Sequence, residues 1–412
     1  MSKKAKKALV PKLRFSEFRD AGEWEEKKLG KLSNILRGGS PRPIDDYLTP
    51  EPDGLNWLKI GDVDKESKYI VKTEVKVKKT ALSKTREVEP GDLIMSNSMS
   101  FGRPYILKIK SCIHDGWIAV TEIINSINRD YLYYFILSNT SQMYFLNSAA
   151  GGGIKNLNAD IIKLLSIRFP KFFEQQKIAD CLSSIDDLIT AHTQKLETLK
   201  AHKKGLLQQL FPAEGETVPK LRFSEFRDAD DWEESQLGKV VEFLDGQRKP
   251  IKESDRASIR GQYPYYGASG IIDYVNGFIF DEDLILLGED GENIVSRNLP
   301  LVFKVSGKCW VNNHAHVLKP RNPHHLNFLV QYLESLSYIK YNSGGAQPKL
   351  NQAVCKTIPL LLPKPNEQQK IADCLSSIDD LITAQAQKIE SLKAHKKGLM
   401  QQLFPAPDEV IS

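Results

Sequence analysis

The chain has 412 residues, a formal net charge of +5 and 41% hydrophobic residues, enough apolar material for two or three cores at about 150 residues per domain, and this excludes disorder as the dominant state. The longest apolar runs, such as Leu284 to Leu287 and Pro359 to Leu362, fall far short of the roughly 18 residues a membrane helix needs. Lys3, Lys4, Lys6 and Lys7 lead into no apolar core before Pro11 and Lys12, so the expectation is a cytoplasmic protein without membrane association.

In chain order, the first element is the block V-P-K-L-R-F-S-E-F-R-D-A at Val10 to Ala21, which recurs at Val218 to Ala229, an offset of 208. The match continues through Trp24-Glu25-Glu26 with Trp232-Glu233-Glu234 and Leu29-Gly30-Lys31 with Leu237-Gly238-Lys239. A divergent segment follows, in which Tyr69 to Val77 and Asp92 to Met95 read as strands and Tyr131 to Leu146 as a helix. Its loops combine glycine, hydroxyl, amide and basic side chains: Arg37, Gly38, Gly39, Ser40 and Arg42, then Asn97 and Ser98, then Arg103, with Lys155 after Gly151 to Gly153.

From Glu174 the sequence carries no proline for nearly forty residues and places Ile178, Leu182, Ile185, Ile189, His192, Leu196, Leu199, Lys203, Leu206 and Leu210 at alternating spacings of four and three, a heptad seam. Phe211-Pro212 ends it, since proline disfavours helix in the residue before it. Ala213 to Thr217 reads as a linker. After the second copy of the first block comes a second divergent segment, with strands expected at Phe278 to Leu287 and Leu301 to Val305 and a helix at Leu326 to Ile339. Its candidate loops hold Gln247, Arg248 and Lys249, then Tyr265 and Tyr266, then Asn312, Asn313 and His314, then Gln347 and Lys349. E-Q-Q-K-I-A-D-C-L-S-S-I-D-D-L-I-T-A, first seen at Glu174 to Ala191, returns at Glu367 to Ala384, an offset of 193. Its seam is Ile371, Leu375, Ile378, Ile382, Gln385, Ile389, Leu392, Lys396, Leu399 and Leu403.

The two offsets differ by 15, so near-identical frames enclose contents of unequal length that share only an echo: Gly151, Gly152, Leu157 and Asn158 against Gly344, Gly345, Leu350 and Asn351. The expected architecture is two mixed α/β (α+β) domains, 1–170 and 218–363, with two long helices, 171–212 and 364–405, the linker 213–217 and a tail 406–412. The helices are expected to pair as an antiparallel coiled coil, bringing His192 towards Gln385 as a polar layer that sets register. About 37 residues at 1.5 Å each make a spacer of roughly 55 Å. The repeat gives the halves a pseudo-two-fold relation.

Arg or Lys can read guanine and Asn or Gln adenine, while glycine permits close approach to phosphate, so the loops suit nucleic acid; equally, each is what an ordinary polar turn looks like. The excess of 57 basic over 52 acidic residues is too small to decide between these. No P-loop, no G-x-G-x-x-G after a strand and no Asn or Asp followed by Pro-Pro and an aromatic is present, so no catalytic residues are assigned. Cys112, Cys181, Cys309, Cys355 and Cys374 form no C-x-x-C pair, and His314-x-His316 near Cys309 lacks a completing ligand, so no metal site is assigned.

Two variable domains, each preceded by P-K-L-R-F with W-E and followed by a long helix opening E-Q-Q-K-I-A, resemble the DNA specificity subunit of a type I restriction-modification system over essentially the whole chain. Gly38-Gly39-Ser40-Pro41, Pro90-Gly91-Asp92, the Gly-Gly and Leu-Asn pairs and Trp310 to His316 carry the same resemblance. It implies a non-catalytic chain without a cofactor of its own, bound to double-stranded DNA and to two methyltransferase subunits. Those partners use S-adenosylmethionine to methylate adenine at N6, and restriction subunits using ATP and Mg2+ complete the full complex. Each variable domain is then a target recognition domain for one half of an asymmetric bipartite site, and the helices set the spacer and help dock the methyltransferases. The rival from the residues alone is a stand-alone two-domain DNA-binding regulator.

Overall fold

The computed structural model describes residues 9–64, 66–97, 102–148, 157–345 and 347–405. It divides into two compact units, one of residues 1–191 with 388–412, the other of residues 192–387. The first long helix, Phe172–Leu210, and the second, Pro365–Leu403, therefore each give one part to each unit.

In the first unit the strands are β1 (Glu25–Lys28), β2 (Asn34–Arg37), β3 (Leu48–Thr49), β4 (Leu55–Leu58), β5 (Tyr69–Ile70), β6 (Val75–Val77), β7 (Arg86–Val88), β8 (Leu93–Ser96), β9 (Pro104–Leu107), β10 (Ser111–Ile113), β11 (Trp117–Thr121) and β12 (Ser166–Phe169). They form one sheet in the order β2-β11-β8-β9-β5, a second in the order β3-β6-β4-β10-β7, and the pair β1-β12. The second unit contains β13 (Glu233–Gln236), β14 (Val241–Phe243), β15 (Arg260–Gly267), β16 (Gly270–Val275), β17 (Phe280–Asp281), β18 (Leu284–Gly288), β19 (Val302–Val305), β20 (Lys308–Val311), β21 (Ala315–Pro320) and β22 (Pro359–Leu362). Their sheets run β14-β21-β18-β19 and β16-β15-β20-β17, with the pair β13-β22.

These are the same fold. Taken in chain order, β2, β4, β6, β7, β8, β9, β10 and β11 correspond to β14 through β21, with the same neighbours in each sheet. The one parallel pairing shared by both, β4 with β10 and β15 with β20, is reproduced as well. The first unit adds β3 and β5 and the helix Asn139–Ser148, which accounts for much of its extra length. Two expected strands are broken: Tyr69 to Val77 is two short strands belonging to different sheets, and Phe278 to Leu287 is β17 and β18. The helix expected over Tyr131 to Leu146 is two, Arg129–Leu137 and Asn139–Ser148, separated at Ser138, whose extended backbone stops the first. Leu326–Ser335 likewise ends early, followed by a 3-10 turn at Ile339–Tyr341.

The repeated blocks are the parts that close each unit. Glu174, 2% exposed in its side chain, takes both arms of Arg14 at 2.8 and 2.7 Å, and Glu367 takes Arg222 in the same way. The neighbouring glutamine is buried too: Gln175 accepts from Asn128 N and donates to the carbonyls of Ser126 and Pro170, as Gln368 accepts from His325 N and donates to Pro363 O. The E-Q side chains thus tie the start of each long helix to the first repeated block and to the N-cap residue of the helix beside it, Asn128 or His325.

The helix ends act as plugs. Phe404 packs edge-on against Tyr131 and Phe135 at 5.6 Å in the first unit, while Phe211 stacks on Tyr332 at 4.7 Å in the second. Burying one such ring is worth about 1.5–3 kcal/mol. Within each unit the helical parts run antiparallel, with Lys396 to Asp186 at 2.5 Å in the first and Lys203 to Asp379 at 2.6 Å in the second. The polar layer forms as expected, Gln385 Nε2 lying 2.7 Å from His192 Nδ1 and donating to His192 O at 2.8 Å. The seam varies along its length. Ile178, Leu182, Ile371 and Leu375 are at most 1% exposed and belong to the domain cores, so they are not the surface contacts the sequence suggested. Ile185, Ile378 and Ile389 are buried between elements, and Ile189, Leu196, Leu199, Ile382 and Leu392 are half-buried.

Candidate nucleic-acid interface

The candidate residues of the first unit converge on one turn. β10 and β11 belong to different sheets and are joined by the three residues His114-Asp115-Gly116. Arg37 Nε and Asn97 Nδ2 both donate to the Asp115 carbonyl at 3.1 Å. The Ser40 hydroxyl donates to Asp115 Oδ1 at 2.7 Å, and Arg42, with its side chain 81% exposed, lies 3.4 Å from Oδ2. The Ser40 bond holds the Asp115 carboxyl below the usual carboxylate range, so the group is an ionised acceptor. Glycine at position 38 is forced by contact: a Cβ there would lie 2.0 Å from the His114 carbonyl. Gly39 N donates to Ile113 O at 3.1 Å, so the Gly-Gly pair presses against the turn as well as offering access. Arg103 lies over the Tyr105 ring, half-buried and away from this cluster of contacts. Ser98 and Lys155, with Gly151 to Gly153, lie outside the described residues.

The second unit builds the corresponding turn, Asn312-Asn313-His314, between β20 and β21. Arg248 Nη1 donates to the carbonyls of Ala315 at 2.8 Å and Asn313 at 3.4 Å and to Glu289 at 2.6 Å. His314 Nδ1 is 2.8 Å from Asp290, and Lys349 Nζ is 3.3 Å from Glu289. Beneath lies His316, 1% exposed, with Nδ1 on Asp245 at 2.7 Å and Nε2 on the Leu350 carbonyl at 2.8 Å. Both ring nitrogens face acceptors, which requires the imidazolium. Burial alone would push its pKa down, but the hydrogen bond to Asp245 overcomes this and raises it to about 10.

Several sequence candidates are therefore framework rather than contact surface. Asn97, Tyr265 and Asn312 are 7%, 1% and 4% exposed, with their polar atoms bonded to Asp115 O, Ile251 N and His314 N. Arg248 is tied into the carboxylate and carbonyl cluster. Tyr266 is half-buried against Phe303. The surface side chains are Arg37, Arg42, Gln247, Lys249, Asn313, His314, Gln347 and Lys349. Asp115, Asp245 and Glu289 were not singled out by sequence, because an isolated acid carries no periodic signal, and His316 was weighed only as a metal ligand and as part of the Trp310 to His316 run.

The model of the type I restriction modification DNA specificity domain matches residues 21–201 and 229–394, most of the chain and one copy for each half. The chain belongs to that family. Each half is thus a DNA specificity domain, and the chain is similar throughout to specificity subunits. A putative type I restriction enzyme specificity subunit of Haemophilus influenzae is 34% identical over 145 residues, 35% of this chain and 37% of that protein. The putative MjaX specificity subunit of Methanocaldococcus jannaschii is 25% identical across 93% of both chains. Among solved structures, the type I restriction-modification S subunit from M. genitalium shares the fold, with a TM-score of 0.62 at 18% identity over 97% of this chain and all of that one. Among the described residues no helix is long and apolar enough to cross a membrane.

Proposed function

We propose that this specificity subunit reads an asymmetric bipartite DNA site, one half-site for each domain, and that it is non-catalytic. In this reading two copies of an adenine-N6 methyltransferase dock on the chain, and restriction subunits join the full complex. S-adenosylmethionine, ATP and Mg2+ belong to those partners. One observation supports this above the others: a single fold, closed by nearly identical blocks, carries two different sets of side chains on corresponding turns. Identical blocks suit identical partners; different turns suit different half-sites. The two helices, each 39 residues long, set the unread spacer.

Sequencing of methylated adenines in a host carrying the chain and its methyltransferase tests the reading, with two short blocks around an unspecified spacer as the expected result. One continuous motif, or a purified chain that binds its site without any methyltransferase to co-elute with, would favour a stand-alone regulator instead. Lengthening both helices by seven residues, about 10 Å, is expected to widen the spacer by roughly three base pairs and to leave both blocks unchanged.

A further inference from the structure

The turns at 114–116 and 312–314 are held by the same main-chain relay although their sequences are unrelated. Leu157 N donates to Asn97 O, and Asn97 N donates to Gly116 O, each at 3.0 Å. In the second unit Leu350 N donates to Glu289 O at 2.7 Å, and Glu289 N to His314 O at 2.9 Å. Above the relay an arginine, Arg37 at the end of β2 or Arg248 in the loop after β14, donates to the carbonyl of the turn's middle residue, Asp115 or Asn313. Two anchors thus fix each turn's backbone and leave the middle side chain at the surface, held by Ser40 at Asp115 and free at Asn313. Asn313 is exposed and its amide has no hydrogen-bond partner among the described residues, and the Asp115 side chain is 40% exposed.

We propose that Asp115 and Asn313 are specificity-determining residues that touch base edges, each in its own half-site. This rests on the reading of each domain as the reader of one half-site. An ionised carboxylate at the surface of a polyanion is repelled unless it meets a donor, and the major groove offers one in the N4 amino group of cytosine. Arg42 beside it offsets the phosphate repulsion. A carboxamide at the same point of the other turn matches adenine, donating to N7 and accepting from N6. The identity of one side chain on a fixed turn then distinguishes the two half-sites at one base pair each.

The test uses the complete chain with its methyltransferase subunit: methylated motifs in the host, and binding of the purified complex to duplexes that differ by single base pairs. Asp115→Asn is expected to alter the preferred base at one position of one half-site by roughly five- to hundredfold, leaving the spacer and the other half-site unchanged. Asn313→Asp is expected to do the same in the opposite half-site, and its exposed, unpartnered side chain takes folding out of question. Asp115→Ala is expected to lose the preference at that base pair without gaining another. Unchanged motifs in both Asp115→Asn and Asn313→Asp, or a loss of binding that is equal on every duplex, would overturn the assignment. A wild-type complex that yields no two-block motif would overturn the bipartite reading itself.

Discussion

Arg222→Met isolates the interaction that closes the second unit. Arg222 donates from Nε and Nη2 to the two Glu367 oxygens at 2.8 Å, and its remaining donors meet the carbonyls of Ala229 and Asp230 at 2.8 and 2.9 Å. Arginine and glutamate side chains are 10% and 2% exposed. Removing the arginine strands a carboxylate away from water, a loss of about 3–5 kcal/mol. For a unit of this size each kcal/mol lowers the melting temperature by about 2–4 °C, so a fall of at least about 6 °C is expected. Hydrogen exchange locates it: amides of the β13–β22 ladder, Glu233–Gln236 against Pro359–Leu362, are expected to lose protection first. Arg222→Met with Glu367→Leu removes both charges and is expected to recover most of the loss, because two apolar side chains of similar volume leave no buried charge unpaired and the Ala229 and Asp230 carbonyls are open to water. A single variant within about 1 °C of wild type, or a double variant as weak as the single, would refute the account. Arg14→Met, with 8% and 2% exposure at its own pair, is expected to act in the same way on the β1–β12 ladder.

Two further expectations concern charge and docking. His316, raised to about 10, contributes stability in full below its unfolded value of about 6.5 and loses it as pH rises through about 10. Urea midpoints at pH 7 and 10 should therefore converge between wild type and His316→Gln at the higher pH; a constant gap would show that the imidazolium is not the source. Leu188 and Leu381 are related by the repeat and remain 48% and 55% exposed. Under the docking reading, lysine at either is expected to remove one of two methyltransferase copies from the purified complex, measured by mass, and retention of both copies by the double variant would place docking elsewhere.

The frame was legible because it is written twice and because a heptad seam is periodic; the His192–Gln385 contact followed from that spacing together with antiparallel pairing. The common topology of the divergent segments was not, since their shared relay runs through main-chain atoms and leaves no trace in side-chain identity beyond Leu157-Asn158 and Leu350-Asn351. That echo has a packing cause: both leucines are buried, and the asparagines precede the short helices Ala159–Lys163 and Gln352–Lys356, Asn158 capping its helix through Ile161 N. Composition placed Arg248, Asn97 and Tyr265 among contact residues because polar loop residues look alike before their partners are known. Asp115 escaped for the converse reason, an acid being the residue least expected of a DNA reader.

The relay from Leu157 or Leu350 through the adjacent strand end to the turn asks nothing of any side chain, and only proline at a donating position would abolish a rung. The relay is therefore indifferent to the side chain at the tip, and the cost of a substitution there is set by side-chain bonds such as that from Ser40 to Asp115. Under the proposed reading of the turns, a substitution at either tip leaves the main-chain relay in place, so one half can change its target without waiting for the other.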